Sequence, residues 1–272
     1  MNNQVSKKHH FIPQFYIKGF SDDNNDVFIY DKEYNKIATS PKKPAQIFYE
    51  EHLHTIKKFG QTSSMIEDAY SELEGMLSKI VVRLKECSSE MLHELVELPE
   101  FVKILVLMMS VQYWRNPQNT CKAKQLASDL LSLYDQAIAT NYEVMPFSRK
   151  DVKFFQKRSK DEAFFKVIQF FFLPLITFKF DPGQLKGLKI IKLYGEDEFL
   201  CSDNPVAIES IDSGFNFSGQ VFYPITKKFA ISNIDSQEMS AFDQVVLMHA
   251  RKKVIASSRE RLQLITQAQQ SV

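Results

Sequence analysis

Glycine is scarce in this chain, with eight in 272 residues, alongside one tryptophan and three cysteines. The sequence has no Gly-rich phosphate loop, no Ser-His-Asp elbow and no His-Glu-x-x-His helix. Cys87, Cys121 and Cys201 are odd in number and far apart. That excludes a disulfide framework or a zinc knuckle and suits a reducing cytosol. Net charge is nearly absent: 34 Lys plus Arg stand against 33 Asp plus Glu. A wholesale basic nucleic-acid binder is therefore not expected, although a local patch is still allowed. Long apolar runs are also missing. Residues 104–111 and 170–178 fall short of the roughly 20 that a membrane helix needs, and Pro174 interrupts the second. Met1–Lys8 lacks the apolar run of a signal peptide, so a cytoplasmic location is expected.

What is present is ordinary in bulk and unusual in detail. A 44% hydrophobic and 25% charged composition is that of a globular protein, with enough chain to bury a core. Phenylalanine is abundant at 23 residues, clustered at 154–155, 164–165, 170–172, 178 and 180. These are expected to form a thick aromatic core where helices meet a sheet, rather than a ligand cage.

The pattern predicts an α+β fold: an N-terminal β-hairpin or meander, a central helical bundle, and a C-terminal mixed or antiparallel sheet with terminal helices. One domain, 1–272, is expected, made of a β-rich part (1–62), a helical middle (63–180) and a β-rich end (181–272) packing with the first strands. Phe11–Ile17 is rich in aromatic and β-branched residues and reads as a strand, with Val27–Asp31 as a second. Helices are expected from Ser63 or Ser64, with apolar residues Ile66 to Leu84 at helical spacing. Others are expected from Pro99 to Trp114, from Gln118 to Tyr142, and from about Lys160 to Pro174. A turn at Asp181-Pro182-Gly183 introduces the last region. There Lys189–Tyr194, Gln220–Ile225, Phe229–Ser232 and Lys253–Ala256 read as strands.

Three places put polar residues in apolar company. The first is Lys7–Tyr16. On a strand, His10, Ile12 and Gln14 share one face, and His9, Phe11 and Phe15 the other. Adjacent histidines then point apart, and one strand cannot offer both to a metal. One is a candidate base or ligand and the other an orienting residue; alternatively, one ties the strand end to backbone while the other is exposed. The second is the stripe Phe101, Leu105, Met108, Gln112, Arg115, apolar until its last turn. A buried arginine there needs an anionic partner: a carboxylate of this chain such as Asp203, or a phosphate. Otherwise it snorkels to solvent. The third is Cys201–Val206, where Asp203-Asn204-Pro205 is either an ordinary turn or a loop carrying function.

Together these segments resemble the DUF4238 family, which is mainly bacterial. Lys8-His9-His10-x-x-Pro13-x-Phe15-Tyr16-x-x-Gly19-Phe20 with Val27–Asp31 is similar to its opening. Gln112-x-x-Arg115-x-Pro117 is similar to its central helix signature. Phe199-x-x-Ser202-Asp203-Asn204-Pro205-Val206 with Phe222-x-Pro224-Ile225 is similar to its C-terminal one. Tyr34-Asn35 replaces the usual glycine. Gln46–His54 matches only loosely, so His52 and His54 are not counted as site residues. The resemblance implies a shared fold and a shared site but names no reaction.

A cleft is therefore expected where these signatures meet. His10 serves in it as base or ligand, Asp203 as an orienting or metal-binding carboxylate, and Arg115 as an anion clamp. His9, Gln14, Gln112, Ser202 and Asn204 assist in binding. Such a set suits hydrolysis of phosphodiesters or other phosphate esters, with a divalent metal sharing the load and nucleic acid or a phosphate-bearing ligand as partner. His10-x-x-Pro13 and Gly19 are also similar to the first strand of an HNH nuclease. Against that, Asn35 and His52 are poorly spaced, and Pro41 and Pro44 interrupt. The alternative is a non-catalytic ligand-sensing or protein-interaction module in bacterial defence, its polar signature a structural network. A catalytic cleft is concave and open, whereas a structural network is buried and satisfied.

Overall fold

The computed structural model describes residues 7–140, 145–179, 187–211, 217–236 and 238–270. Strand β1 (Lys8–His10) pairs antiparallel with β4 (Tyr49–Glu51), across an insertion holding α1 (Gln14–Lys18), β2 (Phe28–Asp31) and β3 (Lys36–Ile37). A hairpin, β5 (Ile56–Lys58) and β6 (Gln61–Ser63), leads into the long helix α2 (Met65–Glu86). The described middle is built of helices: α3 (Ser89–Val96), α4 (Pro99–Arg115), α5 (Thr120–Ala127), α6 (Leu130–Thr140), α7 (Arg149–Gln156), α8 (Glu162–Val167) and α9 (Leu173–Lys179). The rest supplies β7 (Lys189–Lys192), β8 (Cys201–Ser202), β9 (Ala207–Ile211), β10 (Phe217–Thr226), β11 (Phe229–Ser232), α10 (Met239–His249), β12 (Lys253–Ala256) and α11 (Arg259–Gln270). This is an α+β architecture, as the sequence pattern predicts.

Two four-stranded antiparallel sheets dominate, ordered β7-β11-β10-β9 and β3-β2-β12-β8. The second mixes the ends of the chain, because β12 lies between β2 and β8 with Ile255 facing Ile29 and Cys201. The ends also meet at Gly19, whose carbonyl accepts the Lys227 N–H at 2.9 Å. A Cβ there would stand 3.0 Å from Thr226 Cγ2 and from the Tyr16 carbonyl oxygen, so a larger residue would crowd this approach.

Three expectations are corrected. Phe11–Ile17 is not a strand. The chain leaves β1 at His10, and the Pro13 carbonyl accepts from Tyr16 and Ile17 to begin α1. Ile12, Tyr16, Ile17 and Phe20 are buried at helical rather than alternating spacing. The helix expected over 118–142 breaks at Ser128, whose hydroxyl bonds the Gln125 carbonyl at 2.6 Å. Pro174 does not end its helix: one wide turn, Ile168–Phe172, joins α8 to α9. In it the Leu173 N–H reaches back five residues to Ile168. Proline cannot donate to the carbonyl four residues earlier, that of Phe170, and the Tyr70 hydroxyl takes that carbonyl at 2.9 Å. The turn at Asp181-Pro182-Gly183, the helix end at Tyr142 and Phe180 lie outside the described residues.

Of the clustered phenylalanines, Phe165, Phe170 and Phe172 are buried, whereas Phe154 is exposed. Phe172 meets Phe147 at 4.4 Å and Phe155 at 4.9 Å between ring centres, and Phe199, Phe222 and Phe242 form a second aromatic group.

Candidate functional site

The C-terminal end of α4 carries two polar corners, both largely buried. On one side is the segment after β8. The Asp203 carboxylate accepts the backbone N–H of Arg251 at 2.8 Å, of Lys252 at 2.8 Å and of Lys253 at 3.1 Å. Its carbonyl accepts from Asn116 Nδ2 at 2.8 Å and Gln118 Nε2 at 3.2 Å. Ser202 Oγ accepts the Asn204 N–H, and Asn204 Nδ2 donates to the His249 carbonyl. This corner ties β8, the end of α10 and the start of β12 to the loop after α4. Among the described residues, no hydrogen bond or ion pair joins Asp203 to His10 or Arg115.

On the other side lie the histidines. The β1–β4 pairing sets His9 against the turn at 52–55, where the His54 N–H donates to His9 Nδ1 at 2.9 Å. The two imidazoles stack at 5.3 Å. His54 Nδ1 donates to Glu67 Oε2 at 2.6 Å from the first turn of α2, and His9 Nδ1 stands 3.9 Å from the same oxygen. Tyr70, one turn along α2, stands edge-on to His54 at 5.1 Å and lies beneath the Arg115 guanidinium at 4.6 Å. Arg115 is paired with Glu74. The carboxylate of this chain that answers the buried arginine is thus Glu74, not Asp203. Gln112 Nε2 donates to the Phe11 carbonyl at 3.0 Å, fastening α4 to the end of β1. His9 and His10 do point apart, His10 toward Tyr49 at 5.6 Å. Gln14 opens α1 with its side chain exposed.

Among the described residues, three buried side-chain atoms have no hydrogen-bond partner: His10 Nε2, His54 Nε2 and Arg115 Nε. All three belong to the histidine corner. Burial is the main force on its titrations. It pushes His54 down to about 4, against the hydrogen bond to Glu67 and with help from the charge of Arg115. Burial and then Arg115 lower His10, partly offset by backbone hydrogen bonds to Ala45 and Pro44. Burial raises the Glu67 carboxyl, but the bond from His54 and the nearby positive charge outweigh it and hold Glu67 below its ordinary range. At neutral pH His10 and His54 are therefore neutral, beside an ionised Glu67. A void of about 20 Å³, room for about one water, borders Gln112, Arg115 and Tyr70.

Outside this corner runs a groove formed by two adjoining depressions of about 650 and 440 Å³, which share Leu53, Thr120, Glu162 and Lys166. Phe170 lines the groove and also packs edge-on against His54 at 4.9 Å, so one ring separates groove from histidine. Lys124 and Lys160 stand on its walls. Lys166 bonds the carbonyls of His52 at 3.1 Å and Thr55 at 2.8 Å, fixing the 52–55 turn.

Two partners in this corner, His54 and Glu67, are not among the residues singled out in the sequence. Glu67 stands in the first turn of α2, where the helix dipole favours an acid, and His54 sits in a loosely matching stretch. Their only sequence signal is a histidine in a polar stretch and an acid in a helix's first turn.

Fold and corner define an α+β protein with a buried histidine–carboxylate–arginine cluster beside a groove. The chain belongs to the family described as protein of unknown function (DUF4238), whose model matches residues 8–260. No curated protein and no solved structure matches it. Among the described residues, no helix is long and apolar enough to cross a membrane.

Proposed function

We propose that this protein is a phosphate-ester hydrolase of the bacterial cytoplasm, nuclease-like in acting on phosphodiesters, with the histidine corner as its reacting centre. The observation that carries the reading is that the partnerless buried side-chain nitrogens among the described residues are those of His10, His54 and Arg115, with both histidines feeling the arginine's charge. His10 is the base. Its backbone bonds leave Nε2 as a free lone pair, and its lowered proton affinity keeps it neutral at pH 7. Arg115 has a spare Nε donor for a phosphate oxygen while Glu74 balances its resting charge. Glu67 orients His54, taking the carboxylate role expected of Asp203. Substrate occupies the groove, drawn by Lys124 and Lys160, and reaches the corner when Phe170 or the 52–55 turn moves aside.

The competing reading, a non-catalytic module held together by a polar network, draws on the Asp203 corner, which is buried and fully engaged. The test is turnover of bis(4-nitrophenyl) phosphate and of single- and double-stranded nucleic acids, with and without divalent metals. Loss of about 100-fold or more in His10→Ala and Arg115→Met supports the hydrolase. A folded wild type that turns over nothing in the panel sinks it.

A further inference from the structure

We infer that His9, His54 and Glu67 form a binding site for one transition-metal dication. The inference deepens the hydrolase reading, and it can be tested apart from it. One donor atom from each residue lies within 4.8 Å of the others. His54 Nδ1 and Glu67 Oε2 are 2.6 Å apart, and His9 Nδ1 is 3.9 Å from that oxygen. Around an ion with bonds of about 2.0–2.1 Å, tetrahedral neighbours stand about 3.4 Å apart. An ion seated here spreads the first pair by about 0.8 Å and draws in His9, by about 0.5 Å toward Glu67 and by up to about 1.4 Å toward His54. It exchanges two hydrogen bonds, His54 N–H to His9 and His54 Nδ1–H to Glu67, for three coordinate bonds. The ring proton of His54 moves from Nδ1 to Nε2.

Two imidazole nitrogens and one carboxylate oxygen suit zinc or manganese, whereas magnesium and calcium take oxygen donors. The fold supplies what such a site needs. β1 and the 52–55 turn hold both histidines in the interior, and α2 brings a carboxylate from another element. Tyr70 and Phe170 wall His54 with apolar rings. The charge of Arg115 is already balanced by Glu74, which leaves Glu67 to the ion. Three protein ligands leave a fourth position for water or a phosphate oxygen.

The experiment is equilibrium dialysis of the metal-stripped full chain against Zn²⁺, Mn²⁺ and Mg²⁺, followed by elemental analysis. One equivalent of zinc or manganese is expected in wild type and in the surface control His93→Gln. Affinity should fall at least 10-fold in Glu67→Gln and His54→Gln, as the loss of a ligand requires. Glu67 is part-exposed and its amide nearly isosteric, so that variant tests the site if the histidine variant does not fold. Co²⁺ loaded into wild type gives a second readout, a visible band typical of nitrogen and oxygen ligation. No stoichiometric binding by folded wild type, or binding unchanged in Glu67→Gln, overturns the site. Hydrolysis by wild type that binds no metal overturns the site but spares the hydrolase reading. Metal bound with no hydrolysis of any probe supports the site and removes the reading.

Discussion

The two corners at the end of α4 both bury polar side chains, and they differ in how their hydrogen bonds are satisfied. Around Asp203, three backbone N–H groups converge on one carboxylate, and its carbonyl takes two amide donors. Among the described residues, the side-chain nitrogens His10 Nε2, His54 Nε2 and Arg115 Nε have no partner. A buried carboxylate holding three donors is a clamp, and removing it strands all three. A buried imidazole with a bare lone pair is an unfinished arrangement, and such arrangements persist where something else completes them. Burial and polarity together do not separate architecture from chemistry in this molecule. Hydrogen-bond satisfaction does.

The contrast can be broken by measurement. The largest effect is expected at Asp203→Ala, which removes a buried carboxylate and strips the acceptor from three part-buried N–H groups, and should cost about 3–5 kcal/mol in urea unfolding. A loss under about 1 kcal/mol would remove the clamp from the comparison. Next comes acid. Metal-free protein carries His54 neutral, with a folded pKa of about 4 against about 6.5 unfolded, so the unfolded chain binds the proton first as pH falls. Stability is full above about 6.5, declines toward 4, and is lower there by about 3 kcal/mol from this group. His10 and Glu67 shift in the directions that add to the decline. Denaturant midpoints that stay flat over that window contradict a neutral buried His54. Tyr70→Phe deletes the bond to the Phe170 carbonyl and should cost about 1 kcal/mol, a drop readable in the thermal midpoint. The smallest effect is expected at His10→Ala, within about 1 kcal/mol of wild type or slightly stabilising, because little is bonded to its outer nitrogen. A loss near that of Asp203→Ala would make the two corners alike.

Local patterns were legible in the sequence. The stripe from Phe101 to Arg115 gave α4 nearly to the residue and flagged the arginine at its end. The strands flanking Thr226–Lys228, and β12 before a terminal helix, followed from alternation and turn chemistry. Non-local pairing was not legible. His9 meets His54 because β1 pairs with β4 across an insertion of nearly 40 residues, and nothing in either segment names the other. Glu67 had a sufficient local reason to stand where it does, which hid its second role. Phe11–Ile17 misled because aromatic and β-branched residues satisfy a strand's composition, while Pro13 starts a helical turn that only spacing reveals.

Pro174 has a consequence for anyone engineering this fold. Replacing a mid-helix proline with alanine is a common route to a sturdier helix, since proline there costs about 3 kcal/mol. Here the substitution would supply an N–H that competes with Tyr70 for the Phe170 carbonyl. The helix would gain a rung, and the ring that walls the histidine corner from the groove would lose its anchor. A thermostability screen would reward that exchange, and only an assay of the corner itself would register what had been traded.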